Sequence, residues 1–267
     1  MIAFIKAHAY GNDFLYVPAD EIAARDWQAW ARKLCDRHYG VGADGLILYT
    51  HSSGGATMKL FNADGSSSEL SGNGLRGLAA VIARHWQREG RADRMIAVDT
   101  TAGLRTLTLE EVSGARYLFT ADMGQPTGIR QARLDVAGEQ VTASILTVGN
   151  PQCVVLGPLP DDERFARLGP ALERHPVFPD RTNVEFAVVD APDRVRIRIW
   201  ERGVGPTESS GTGSCASAVA AAAHGGAARD VTVVAPGGAQ RVQWTDAGIM
   251  LTGWAEILAD GTFCAAL

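Results

Sequence analysis

The chain is poor in lysine and lacks the motifs that usually bind phosphate or metal. Lys6, Lys33 and Lys59 are the only lysines in 267 residues, and none lies in a glycine-rich motif. A pyridoxal-phosphate enzyme needs a Schiff-base lysine, so this scarcity argues against that cofactor. The six histidines show no metal-ligand spacing, and no P-loop or Gly-x-Ser-x-Gly sequence occurs. We therefore expect no metal and no cofactor.

Paired cysteines, long apolar runs and excess positive charge are also missing. Four scattered cysteines without Cys-x-x-Cys spacing predict reduced thiols rather than a disulfide framework or a zinc site. No apolar run approaches the length of a membrane span, and Lys6 interrupts the N-terminal apolar segment. These features predict a cytoplasmic protein without a membrane partner. A net charge of −5 argues against nucleic acid as a partner.

Two glycine-rich stretches, Ser71–Gly74 and Ser210–Gly213, are the most informative feature that is present. Each follows a strand-like segment and precedes a run of small or apolar residues, so each predicts a helix N-terminus carrying a hydroxyl group and free backbone N–H groups. Such an end binds a carboxylate readily. Taken singly, each serine is equally well explained as a helix N-cap. Facing each other, the two ends would suit proton transfer at a carbon beside a carboxylate.

The two halves of the chain also repeat in register. Gly11-Asn12 recurs as Gly149-Asn150 at an offset of 138 residues, and Ser71 recurs as Ser210 at an offset of 139. Chance among 30 glycines is the alternative explanation. The shared register favours two copies of one ancestral unit.

The pattern of segments predicts an α+β fold of two pseudo-symmetric domains. Each half has many short strands and one central helix, which suggests a curved sheet or barrel around that helix. We place the N-terminal half at residues 1–118 and the C-terminal half at 119–258, with the tail 259–267 packing back on the first half. If the two helix N-termini face each other, the active site lies in the cleft between the two domains. A monomer and a homodimer both remain open.

A charged pair, Glu201-Arg202, follows a predicted strand in the second half. A solvated surface pair is one interpretation. The other is recognition of an amino acid, because arginine can hold a carboxylate by two hydrogen bonds and glutamate can hold an ammonium group. The partner expected on this second interpretation is a small amino-acid substrate.

Several motifs together resemble the diaminopimelate epimerase family, and the resemblance runs from the first strand to the last motif. The stretches that carry it are Gly11-Asn12-Asp13-Phe14, Gly40-Val41-Gly42-Ala43-Asp44-Gly45, Phe61-Asn62-Ala63-Asp64-Gly65, Gly72-Asn73-Gly74, Gly149-Asn150-Pro151, Asn183-Val184-Glu185-Phe186, Glu201-Arg202-Gly203-Val204-Gly205 and Gly211-Thr212-Gly213. The resemblance implies a cofactor-independent isomerase of lysine biosynthesis. Such an enzyme epimerises diaminopimelate (LL to meso), or a close amino-acid relative, by two-base proton transfer.

The resemblance also implies a role for each site residue. Ser71 and Ser210 occupy the two catalytic positions. The carboxylate at the reacting carbon would be bound by Gly72, Asn73, Gly211 and Thr212. The distal carboxylate would be bound by Asn62, Asn150, Asn183 and Arg202, while Glu201 would meet the distal ammonium and Asn12 would help to order the substrate.

The chain departs from the family pattern at three positions. Both catalytic cysteines of the family are serines here, and Gln152 stands where the family usually has histidine. Four interpretations follow: a natural serine-type isomerase, a one-base isomerase or dehydratase of the same fold, a protein whose cysteines were exchanged to trap a ligand, and a non-catalytic amino-acid binder. Gln152 weighs against the third, because trapping a ligand gives no reason to change it.

Overall fold

A computed structural model describes residues 1–23, 26–68 and 71–264, and the chain divides into two compact units. Unit 1 comprises Met1–Ala121 and the chain from Trp254 onward, and unit 2 comprises Asp122–Gly253. The predicted boundaries were 118/119 and 258/259, and the structure places them at 121/122 and 253/254. Of the predicted tail, residues 259–263 pair with the first strand of unit 1, and residues 265–267 lie outside the described residues.

Unit 1 contains a sheet, a short 3₁₀ turn at Ala19–Glu21 and two α-helices. Its strands are β1 (Ile2–Ala9), β2 (Asn12–Pro18), β3 (Gly45–Ser52), β4 (Gly55–Asn62), β5 (Ser67–Ser68), β6 (Met95–Thr100), β7 (Gly103–Ser113) and β8 (Arg116–Asp122), and its helices are α1 (Trp27–Cys35) and α2 (Gly72–Arg88).

Unit 2 contains the corresponding elements in the same order. Its strands are β9 (Thr127–Val136), β10 (Glu139–Val148), β11 (Asn150–Leu156), β12 (Asn183–Ala191), β13 (Arg194–Glu201), β14 (Gly205–Thr207), β15 (Asp230–Ala235), β16 (Gly238–Thr245) and the start of β17 (Gly248–Phe263), and its helices are α3 (Asp162–Glu173) and α4 (Gly211–His224). The end of β17 belongs to unit 1, where it pairs with β1.

The strand pairing is the same in both units. In unit 1 the order β17-β1-β2-β3-β4-β6-β7-β8 is antiparallel except for the parallel pairs β2–β3 and β4–β6. In unit 2 the order β9-β10-β11-β12-β13-β15-β16-β17 is antiparallel except for the parallel pairs β11–β12 and β13–β15. This repetition confirms the predicted pseudo-symmetric α+β fold.

The longer helix of each unit is enclosed by its own sheet. Helix α2 contacts strands on several sides of unit 1 and buries Leu75, Leu78, Ile82 and Trp86. Helix α4 contacts six strands of unit 2 and is made almost wholly of small residues, ten of which are buried. A helix that is apolar all round can only be stable inside a core. The short side chains of α4 let the surrounding strands approach its backbone.

No helix within the described residues combines the length and the apolar character needed to cross a membrane.

Candidate active site

Ser71 caps the N-terminus of α2 in unit 1. Its backbone is extended (φ −124°, ψ 123°), and its Oγ accepts a hydrogen bond from the N–H of Gly74 at 3.1 Å. Its carbonyl accepts the first helical bond, from Leu75 N–H, at 2.8 Å. The helix therefore begins at Gly72, above which a Cβ atom would meet nothing within 4 Å. This open space lets an anion approach the first N–H groups of the helix.

Ser210 caps α4 in unit 2 with nearly the same geometry. Its backbone is extended (φ −139°, ψ 125°), and its Oγ accepts from the N–H of Gly213 at 3.1 Å. Its carbonyl accepts from both the N–H (3.0 Å) and the hydroxyl (2.8 Å) of Ser214. Each hydroxyl oxygen thus receives a backbone N–H at the positive end of a helix, which stabilises negative charge on that oxygen. The structure leaves the catalytic roles of the two serines as predictions.

The asparagines predicted in unit 1 lie at the ends of strands or in the first turn of a helix. Asn12 begins β2 and donates from Nδ2 to Asp44 at 2.8 Å. Asn62 ends β4, is exposed, and donates to Ser66 Oγ at 2.9 Å. Asn73 lies in the first turn of α2, is buried, and accepts from the Arg76 guanidinium at 3.3 Å. All three side chains are therefore held in defined orientations.

Asp13, the buried acidic residue that follows Asn12 in β2, was not among the predicted site residues. Asp13 accepts from Arg37 at 2.8 Å and pairs with Lys6 at 3.0 Å, and Arg37 also bonds Asp44. Burial alone would raise the pKa of Asp13, but the hydrogen bonds from Arg37 and Lys6 outweigh it and lower the pKa. The cluster fixes the start of β2 against the glycine-rich 40–45 loop.

In unit 2 the predicted residues gather around Gln152, which is fully buried in β11. The hydrogen-bonding needs of its neighbours assign the orientation of this amide: its oxygen faces Asn183 Nδ2 at 3.3 Å and Thr212 Oγ1 at 3.2 Å, and its Nε2 faces both carboxyl oxygens of Glu185 at 3.1 and 3.2 Å. The side-chain amide of Asn150 lies 2.5 Å from that of Gln152. Three predicted binding residues thus share one central side chain.

Glu185 is the most deeply buried carboxyl group of this cluster. It is fully enclosed in β12, and burial, followed by the charge of Glu201, raises its pKa well above the ordinary value. Neither Glu185 nor Gln152 was predicted as a site residue. The signal that could have found Glu185 is a charged residue inside the apolar segment Val184–Val189, because such a residue almost always has a specific partner.

The Glu201-Arg202 pair lies where β13 ends. Burial raises the pKa of Glu201, and a hydrogen bond with Thr207 partly offsets that effect. Arg202 is exposed; its backbone N–H donates to Asn183 Oδ1 at 2.9 Å and its Nη1 donates to the carbonyl of Asp180 at 3.0 Å. Buried Glu173 supports the turn by accepting from the indole of Trp200 (2.9 Å) and the N–H of Gly203 (3.1 Å).

No group of three or more histidine, cysteine, aspartate or glutamate side chains is arranged to hold a metal ion among residues 1–23, 26–68 and 71–264.

Comparison with known proteins places this chain among epimerases. The family model described as diaminopimelate epimerase matches residues 4–129 and 144–258. A diaminopimelate epimerase from Desulforudis audaxviator is 42% identical, covering 97% of this chain and 98% of that protein. One from Desulfitobacterium hafniense is 38% identical and covers 96% of each chain. A solved structure described as a predicted epimerase from Pseudomonas aeruginosa matches all of both chains with a TM-score of 0.75 at 16% identity, which shows the shared fold.

Proposed function

The chain belongs to the diaminopimelate epimerase family, and from that premise we propose that it inverts an α-carbon of diaminopimelate (LL to meso), or of a close amino-acid relative, without a cofactor. Identity of 35–42% over nearly the whole chain supports the reaction class. The single observation that carries the proposal is the matched pair of N-cap serines, each with its Oγ 3.1 Å from a backbone N–H.

In the proposed reaction one serine oxygen removes the α-proton and the other serine delivers a proton to the opposite face. The first serine acts as its alkoxide: the Cα–H bond breaks, an O–H bond forms on that oxygen, and the electron pair stays on the α-carbon and its carboxylate. The second serine O–H then breaks as the new Cα–H bond forms, which leaves the second serine as the alkoxide. The helix N-termini of α2 and α4 would stabilise the oxyanions of the serine and of the enolised carboxylate.

The remaining predicted residues divide into two groups by the end of the substrate that they would bind, and Asn12 would help to order the substrate. Gly72, Asn73, Gly211 and Thr212 would bind the carboxylate at the reacting carbon. At the other end of the substrate, Arg202 with Asn62, Asn150 and Asn183 would bind the distal carboxylate, and Glu201 would bind the ammonium. We further propose a cytoplasmic location, a small amino acid as the only ligand, and either a monomer or a homodimer as the assembly.

A chiral product assay tests this function. LL-diaminopimelate incubated with the unaltered protein should yield the meso isomer, and the doubly substituted Ser71→Ala/Ser210→Ala protein should yield none while still binding the substrate by calorimetry. Tight binding without any meso product from the unaltered protein would instead identify an amino-acid binder. Absence of both binding and product would remove the substrate assignment.

A further inference from the structure

Gln152 and Glu185 form a buried amide–carboxyl pair whose position is set by the sheet. Strands β11 and β12 are parallel, and Gln152 lies opposite Asn183, two residues before Glu185. Residues two apart on a strand project from the same face, so Asn183 and Glu185 both reach Gln152. Both members of the pair are fully buried. A buried amide and a buried carboxyl group are costly unless each is hydrogen-bonded, and here each faces the other.

The direction of the hydrogen bonds follows from one backbone contact. The N–H of Arg202 donates to Asn183 Oδ1 at 2.9 Å, which turns Asn183 Nδ2 toward Gln152. Gln152 must therefore present its oxygen to Asn183 and to Thr212 (3.3 and 3.2 Å) and its nitrogen to Glu185. Asn183 on one side and Glu185 on the other thus fix which way the Gln152 amide points.

Helix α4 closes the cluster from its other side. A Cβ atom added to Gly213 would lie 2.5 Å from Glu185 Oε1 and 3.1 Å from Ser210 Oγ. The carboxyl group therefore packs directly against the first turn of the helix that carries Ser210 and Thr212, and glycine at position 213 is what allows this approach.

We propose that Gln152, held by Glu185, is a positioning residue that sets the distance between the two ends of the substrate in unit 2. This inference rests on the proposed function. Thr212 is assigned to the carboxylate at the reacting carbon, and Asn150 and Asn183 are assigned to the distal carboxylate. The Gln152 amide contacts all three of these side chains. The Gln152–Glu185 pair therefore fixes the distance between the two carboxylate subsites, and this distance makes the protein selective for the length of a diamino diacid.

The test compares affinity for diaminopimelate with affinity for the homologous diamino diacid that is one methylene shorter. Calorimetry of the unaltered protein should show a preference of about tenfold or more for diaminopimelate, the discrimination one methylene usually gives. Glu185→Gln replaces one of the two oxygens that face Gln152 Nε2 with an amide nitrogen, which weakens the hold on the Gln152 amide, so the preference should fall to about threefold or less. Gln152→Asn, which shortens the central amide and keeps Glu185, should have the same effect.

Asp190→Asn is the matched control, because it makes the same chemical change at an exposed position of the same strand. It should retain the full preference. Thermal unfolding of each variant is recorded alongside. A purely structural role would lower both affinities equally and leave their ratio unchanged, and that result would overturn the inference.

The outcomes separate this inference from the proposed function. If the unaltered protein binds neither acid, the proposed function fails, and the positioning role fails with it. If it binds diaminopimelate but shows no length preference, or if Glu185→Gln and Gln152→Asn both keep that preference, only the positioning role fails.

Discussion

At the scale of single residues, two hydroxyl groups stand where this family usually has thiols. A thiol ionises far more readily than a serine hydroxyl, so proton abstraction by serine needs more help from its surroundings. The structure supplies one N–H donor to each Oγ, from Gly74 and from Gly213, at 3.1 Å. Both serines therefore act as helix caps, and their catalytic role has to be separated from capping by experiment.

Substituting asparagine for Ser71 separates the catalytic role of this residue from its role as a helix cap. Ser71→Asn keeps a side-chain oxygen that can cap α2, whereas Ser71→Ala removes it, so alanine should lower the free energy of unfolding by about 1 kcal/mol and asparagine by much less. Both variants should lose epimerisation, because neither carries a hydroxyl. Urea unfolding and the chiral assay measure the two effects. If Ser71→Asn keeps its activity, Ser71 is only a cap.

Introducing cysteine at both serine positions should raise the activity and create sensitivity to alkylation. The native thiols are poor targets, since Cys35, Cys153 and Cys215 are buried and burial raises the pKa of Cys35 to about 12. Iodoacetamide should modify exposed Cys264 without affecting turnover, and a Cys264→Ser protein serves as the control. Ser71→Cys/Ser210→Cys should epimerise faster and be inactivated. Inactivation of the unaltered, still folded protein would show that another thiol does the chemistry.

Glu201 should make substrate affinity depend on pH. Its folded pKa is raised, so the carboxyl group stays protonated to a higher pH in the folded protein than in the unfolded chain, and stability from this group is lost as pH rises from about 4.5 through the folded pKa. An ammonium ligand needs the ionised form, so affinity should increase over that same interval. Glu201→Gln should bind more weakly and lack this increase. Calorimetry measures the substrate affinity of the unaltered protein and of Glu201→Gln across this pH interval. If the two proteins show the same dependence of affinity on pH, Glu201 does not contact the ammonium group.

At the scale of elements, the two serine-glycine motifs located the starts of both central helices. The motifs Ser71–Gly74 and Ser210–Gly213 predicted helix N-termini, and α2 and α4 begin at Gly72 and Gly211. Glycines favour turns, but here the serine caps draw them into the first helical turn. Strand β9 carries a weak signal in the sequence, because only Leu134 and Val136 of its ten residues are buried and the alternating apolar residues are confined to its end.

Two glycines at equivalent helix positions should respond differently to alanine. At Gly74 a Cβ would meet Ile47 Cδ1 at 2.8 Å, which is the movable end of a side chain. At Gly213 it would meet Glu185 Oε1 at 2.5 Å, inside a fully buried pair. Alanine favours a helix by about 1 kcal/mol over glycine, so Gly74→Ala should be nearly neutral.

Gly213→Ala should instead lower the unfolding temperature and weaken diaminopimelate binding. Differential scanning calorimetry on both variants checks this comparison. Equal unfolding temperatures would mean that Glu185 can move away from α4 without cost.

At the scale of the whole molecule, the duplication of the two units could be read from the sequence, because turns and helix caps are marked by short motifs of neighbouring residues. The Asn12/Asn150 and Ser71/Ser210 registers predicted a duplicated unit, and the identical strand order of the two units confirms it. The pairing of Gln152 with Glu185 could not be predicted, because it joins residues on two parallel strands through the register of the sheet. The catalytic pair stays a prediction drawn from the resemblance.

The most direct test of two-base proton transfer is isotope placement during the first turnovers in heavy water. Nuclear magnetic resonance and mass spectrometry of LL-diaminopimelate incubated with the protein should find solvent deuterium at the inverted carbon of the meso product, while the remaining LL substrate keeps its α-proton. That asymmetry follows when one base removes the proton and a different one donates the deuteron. Deuterium appearing first in the LL substrate, or in neither isomer, would contradict the account.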